Sequence, residues 1–144
     1  MAQLKYSIEA ESLTATKTSV KARGFEFLID EPERAGGENA ALTPVEYLLG
    51  AFSGCMNVVC HKVAKEMGIT IESLRFEFEG DLDSDRFMGK PTEQRSGFQE
   101  IRAKIIAKVD AGLEQKLAWM KAVKERCPVS DNLSNPTPVK ITLA

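Results

Sequence analysis

"TPVEYLLGAFSGCMNVVCHKVAKEMG", residues Thr43 to Gly68, reads as one long helix, and the rest of the fold can be worked outward from it. Thr43 is a good N-cap, and Pro44 suits the first helical position, where its missing N–H would be unpaired anyway. Glu46 stands three residues after Thr43 and completes a capping box. No proline interrupts the run to Met67, and Gly68 is a natural stop. Leu48, Ala51, Phe52, Cys55, Val59 and Val63 follow helical spacing. From Tyr47 to Met56 the helix is apolar nearly all round, so this half is expected to lie buried between other layers. Gly50, Ser53 and Gly54 are poor helix formers, each costing up to about 1 kcal/mol relative to Ala. Their placement predicts that something packs very close to the helix.

Upstream, "LKYSIEA" alternates, with Leu4, Tyr6 and Ile8 on one face, and predicts a strand. "SLTATKTSV" is rich in β-branched residues and is expected to pair with it. "FEFLID", from Phe25, alternates again and predicts a third strand. "EPERAGGENAAL" carries Pro, Gly-Gly, charges and Asn, which is loop chemistry. Downstream, "IESLRFEFEGDLD" places Leu74, Phe76 and Phe78 on one face, and "FQEIRAKIIAKVD" alternates too. The two predict an antiparallel hairpin with an extended polar loop between them. "GLEQKLAWMKAVKER" predicts an amphipathic helix with Leu113, Leu117, Met120 and Val123 inward. "CPVSDNL" begins a turn or a second helical piece, and "TPVKITLA" predicts a closing strand. The order is strands, long helix, strands, helix, strand. That is an α+β arrangement in a single domain over residues 1–144, with a long central helix packed by antiparallel sheets.

Bulk properties narrow the function classes. The chain has 144 residues, 43 % of them hydrophobic and 28 % charged, an ordinary globular balance. Its net charge of -2 gives no electrostatic footprint for nucleic acid. No apolar run approaches the roughly 20 residues of a membrane span. "MAQLKYSIEAES" has no apolar segment of secretory type, which leaves a cytoplasmic setting as the expectation. Three cysteines cannot close into a disulfide framework, so they are buried hydrophobes, metal ligands or redox-active thiols.

Cys55, Cys60 and His61 are poorly spaced for a metal. On an ideal helix Cys55 and Cys60 point about 140° apart, and structural zinc sites take closer ligand pairs. No metal is expected. Cys60 reads as a small hydrophobe, and His61 as a surface side chain. Cys127 follows Lys124 and Arg126 and precedes Pro128. There it is either a plain helix-stop residue or a thiol at an N-cap, where free amides favour a thiolate.

"TPVEYLLGAFSGCMNVV" resembles the central helix of the OsmC/Ohr family, the osmotically induced and organic hydroperoxide resistance proteins. "CPVSDNLSNPTPVKITL" resembles the family's second cysteine motif with its terminal strand. "RGFEFLIDEPERAGGENAAL" and "GFQEIRAKIIAKVDA" fit in order and spacing, so the resemblance spans nearly the whole chain. It implies an OsmC-like fold in an intertwined homodimer. It also implies a thiol-dependent peroxidase reducing organic hydroperoxides or hydrogen peroxide, with no cofactor beyond an external thiol or dithiol reductant. Cys55 would form a sulfenic acid and Cys127 would condense with it to a disulfide.

The resemblance further implies an arginine that holds the thiolate and a glutamate that steadies the arginine. Arg34 matches the position used by one branch, with Arg23 in reserve. Glu46 is the available acid, one residue later than in the peroxidase branches, which place theirs where this chain has Val45. Glu46 and Cys55 are nine residues apart, about 13–14 Å of rise and opposite helix faces. If both serve one site, Glu46 comes from the partner subunit. The alternative function is a non-peroxidatic relative that binds a small apolar or electrophilic molecule at the dimer interface, lined by Phe52, Met56, Trp119 or Phe87.

Overall fold

The computed structural model describes residues 2–144. The chain divides into two compact units, Met1–Gly50 and Ala51–Ala144. The helix read from Thr43 begins in the first and ends in the second. The architecture is α+β, with three α-helices and two antiparallel sheets among the described residues.

The first unit holds a three-stranded sheet in the order β1 (Glu9–Ser12), β2 (Thr18–Ala22) and β3 (Phe25–Ile29). The β2–β3 turn is two residues, Arg23 and Gly24, both with positive φ (51° and 86°). That is the geometry a tight hairpin demands, and glycine supplies half of it without strain. The first strand departs from expectation. Pairing begins at Glu9, opposite Lys21, and Leu4, Tyr6 and Ile8 are left exposed without strand structure. The alternation of "LKYSI" is real, but the register sets Ile8 opposite Ala22, the last residue of β2, and Leu4 and Tyr6 fall beyond the end of that strand.

After β3 the loop to the helix is pinned by Asp30, which is fully buried. Its carboxylate accepts Thr16 Oγ1 at 2.8 Å and the amides of Ala40 and Glu38 at 3.1 and 3.2 Å. These bonds, Ala40 first, hold its carboxyl down to about 2 against the cost of burial. Gly37 is required here, since a Cβ would lie 1.9 Å from the Glu31 carbonyl oxygen.

Helix α1 (Pro44–Met67) starts as the capping box predicts. Thr43 N donates to Glu46 Oε1 at 3.1 Å and Glu46 N to Thr43 Oγ1 at 3.3 Å. Gly68 stops it at φ 71°.

The second unit adds the hairpin β4 (Ile71–Leu82) and β5 (Phe98–Val109), then α2 (Leu113–Arg126) and α3 (Pro128–Ser134). Its core gathers Met56, Val59, Cys60, Val63 and Ala64 of α1 with Ile69, Trp119, Val123 and Cys127. Leu74, Phe76 and Phe78 of β4 pack on it, and the Phe52 and Phe78 rings lie 4.9 Å apart.

Two expectations fail in this unit. Leu113 and Leu117 are 73 % and 63 % exposed. Trp119 joins the expected Val123 on the inward face, and Leu117 stands about 160° from Trp119 around the helix. The large indole sets the rotation, because its Nε1 donates to the Cys60 carbonyl at 2.9 Å. The closing "TPVKITLA" forms no strand: Val139, Ile141 and Leu143 are 79–100 % exposed. Within the single chain, α1 is not covered all round. Ala51, Gly54 and Val58 are exposed, and a Cβ on Gly54 would meet nothing within 4 Å. No described helix is long and apolar enough to cross a membrane.

Candidate thiol site

The sharpest chemical feature of the second unit is built by two helices and a corner. Cys55 lies on α1 and is partly accessible. Cys127 is the residue at which α2 ends and α3 begins, with extended backbone (φ -84°, ψ 110°) and only 1 % exposure. Pro128 forces this geometry: it disfavours helical backbone in the residue before it and opens the new helix itself. The Cys127 side chain caps α3, accepting Ser130 N at 3.5 Å. Cys127 thus stands at the N-cap that one of its two sequence readings expects, but its thiol is raised and not lowered there.

The Cys127 thiol donates to Cys55 Sγ at 3.0 Å. Burial pushes the Cys127 thiol up, and the bond to Cys55 pushes it the same way. The Ser130 and Val129 amides pull back. Cys127 is the buried sulfur of the pair and Cys55 the partly accessible one. Cys60 is fully buried, and burial, with Cys127 nearby, pushes its thiol up to about 11. It behaves as the small hydrophobe expected. His61 is exposed.

In the first unit the structure brings Arg34 and Glu46 together. Both line one surface depression of about 570 Å³ with Pro32, Asn39, Leu42 and Val45. Glu46 is held below the usual carboxylate range, first by the Thr43 bonds and least by the charge of Arg34. Its cap role is thus occupied. Arg23 is committed elsewhere, as a hairpin turn residue with its guanidinium 5.4 Å over the Phe25 ring. Of the candidate lining residues for a ligand, Met56 and Trp119 are sealed in the core and Phe87 is 81 % exposed on the β4–β5 loop.

Sequence reasoning missed Glu66 and Arg126. Their link is bidentate, Nη1 to Oε2 at 2.6 Å and Nη2 to Oε1 at 3.1 Å, and it lies directly beside Cys127 in sequence. Sixty residues separate the two, and only the packing of α2 on α1 reveals the pair.

An α+β fold with an unbroken central helix and two facing thiols defines a class of cysteine-bearing proteins. The family described as OsmC-like protein matches residues 36–142, and this chain belongs to it. Solved structures share the fold. An OsmC-like protein of Mycoplasma pneumoniae superposes with a TM-score of 0.81 at 20 % identity, covering 92 % of this chain and 89 % of its own. An organic hydroperoxide resistance protein of Legionella pneumophila gives 0.65 at 20 % identity, covering 92 % and 91 %. Another from Bacillus subtilis gives 0.59 at 21 % identity, covering 90 % of each chain. No curated protein matches the chain by sequence.

Proposed function

We propose that this protein is a thiol-dependent peroxidase that reduces organic hydroperoxides through a Cys55–Cys127 cycle. The observation that carries the reading is the asymmetry of the pair: a partly accessible sulfur 3.0 Å from a buried one. Membership of the OsmC-like family and the names of its structural relatives support it.

The Cys55 thiolate attacks the terminal oxygen of the hydroperoxide. The O–O bond breaks, the alkoxide takes a proton and leaves as the alcohol, and Cys55 becomes a sulfenic acid. The Cys127 sulfur then attacks the Cys55 sulfur. The S–O bond breaks, and hydroxide leaves as water with the proton Cys127 gives up. The two sulfurs close by about 1 Å to a disulfide of roughly 2.05 Å. An external dithiol restores both thiols by exchange.

Arg34 is proposed to favour the Cys55 thiolate of a second copy of the chain, with Glu46 orienting it while also capping α1. The assembly proposed is a homodimer joined along the exposed face of α1. Gly54 keeps that face low, and a second copy is the layer that the apolar first half of the helix predicts.

A steady-state assay with cumene hydroperoxide and hydrogen peroxide, under dihydrolipoamide and under dithiothreitol, tests the reading. Peroxide consumption that needs Cys55 and survives in neither Cys55→Ser nor Arg34→Ala at the wild-type rate is expected. Equal consumption in Cys55→Ser sinks it and leaves the ligand-binding alternative.

A further inference from the structure

Glu66 and Arg126 touch neither sulfur, yet their placement bears on both. Arg126 is the last residue of α2 and the immediate neighbour of Cys127. Glu66 lies on α1 eleven residues beyond Cys55, about 16 Å further along and within about 20° of the same face. The corner that carries Cys127 is therefore tied to α1 at two points on one rail. One is the thiol contact, and the other is the guanidinium–carboxylate fork. A two-bond fork fixes orientation as well as distance, which a point charge does not. The corner is packed into the core through Val123 and Cys127, with Val129 against it, while α3 has seven residues and buries none of them. Trp119 anchors α2 two turns earlier through the Cys60 carbonyl, and Lys62 reaches Glu66 Oε1 at 3.8 Å. Arg126 also keeps the Glu66 carboxyl below its usual range, so the pair is fully charged at neutral pH.

We propose that the Glu66–Arg126 fork is a positioning pair for the resolving step, holding Cys127 in reach of oxidised Cys55 and so deciding the fate of the sulfenic acid. The proposal rests on the peroxidase reading. Two routes compete for that intermediate. Attack by Cys127 forms the disulfide and releases water. Attack on a second hydroperoxide adds an oxygen, releases a second alcohol, and leaves a sulfinic acid that thiols do not reduce. The fork acts on the first route alone, because only that route needs Cys127 in place.

Rapid mixing of wild type, Glu66→Gln, Arg126→Gln and the double variant with cumene hydroperoxide tests this. Cys55 oxidation and disulfide closure are followed separately by quenched mass spectrometry. Cys55 should oxidise at the wild-type rate in every variant, while closure slows about tenfold and the sulfinic fraction under excess peroxide rises in step. The double variant should close no more slowly than the singles, because one fork is being broken. Arg126→Lys, which keeps the charge and loses the fork, should fall between. Unchanged closure overturns the proposal, as do additive singles, or a loss of both rates together, which marks a general structural defect. Absence of any Cys55 oxidation in wild type overturns the peroxidase reading and the proposal with it.

Discussion

Cys127 donates its thiol proton to the Cys55 sulfur across 3.0 Å, although seventy-two residues separate the two in the chain. The contact joins the partly open face of α1 to a corner that Pro128 makes. Its two sulfurs differ in access: Cys127 is buried and Cys55 is partly accessible.

The exposed strip of α1 yields the first prediction. Gly54 faces open space within the chain, so Gly54→Leu adds bulk without an internal clash. Leu is the better helix former by up to about 1 kcal/mol, so the variant should fold. Analytical ultracentrifugation should find a dimer for the wild type and a monomer for the variant. An undisturbed dimer would move the interface off this face.

Trp119 joins α2 to α1 by packing and by one bond to the Cys60 carbonyl. Trp119→Ala should cost about 3–5 kcal/mol of stability in urea unfolding. Trp119→Phe keeps most of the volume and should cost about 1 kcal/mol. Near-equal losses would mean that the hydrogen bond matters more than the packing.

Cys60 gives a pH signature. Its folded thiol is pushed up to about 11 from an ordinary 9.0, so the folded state holds the proton more tightly than the unfolded one. The linked stability is fully present below pH 9.0 and is lost as the pH rises toward about 11. The slope is about 1.4 kcal/mol per pH unit. Cys127 is raised too and adds in the same direction. Cys60→Ala should flatten the fall in urea midpoint over this window. An equally steep fall in that variant would assign the titration to other groups.

What the sequence made legible follows from how local each signal is. The α1 start is written in Thr43, Pro44 and Glu46, three neighbours whose bonds are with one another. The β4–β5 hairpin is written in two long alternations that find each other. The segments that failed are those whose pattern needs a distant partner. "LKYSI" and "TPVKITLA" alternate well, yet a strand exists only where an edge is offered. The rotation of α2 was misread because apolar spacing alone favours Leu113 and Leu117, whereas Trp119 settles it with a bond across fifty-nine residues. The thiols were individually visible, and resemblance alone named Cys55 and Cys127 as partners. Their contact depends on how α2 ends. Glu66 and Arg126 look like any surface charges until that packing is seen.

The most direct test of the central claim is mass spectrometry of the protein after one equivalent of cumene hydroperoxide. The account predicts loss of two thiols per chain, one Cys55–Cys127 disulfide, and Cys60 still alkylatable after denaturation. In Cys127→Ser it predicts a Cys55 sulfenic acid that dimedone traps. Three intact thiols after that equivalent, or a disulfide that includes Cys60 in place of Cys55, would contradict it.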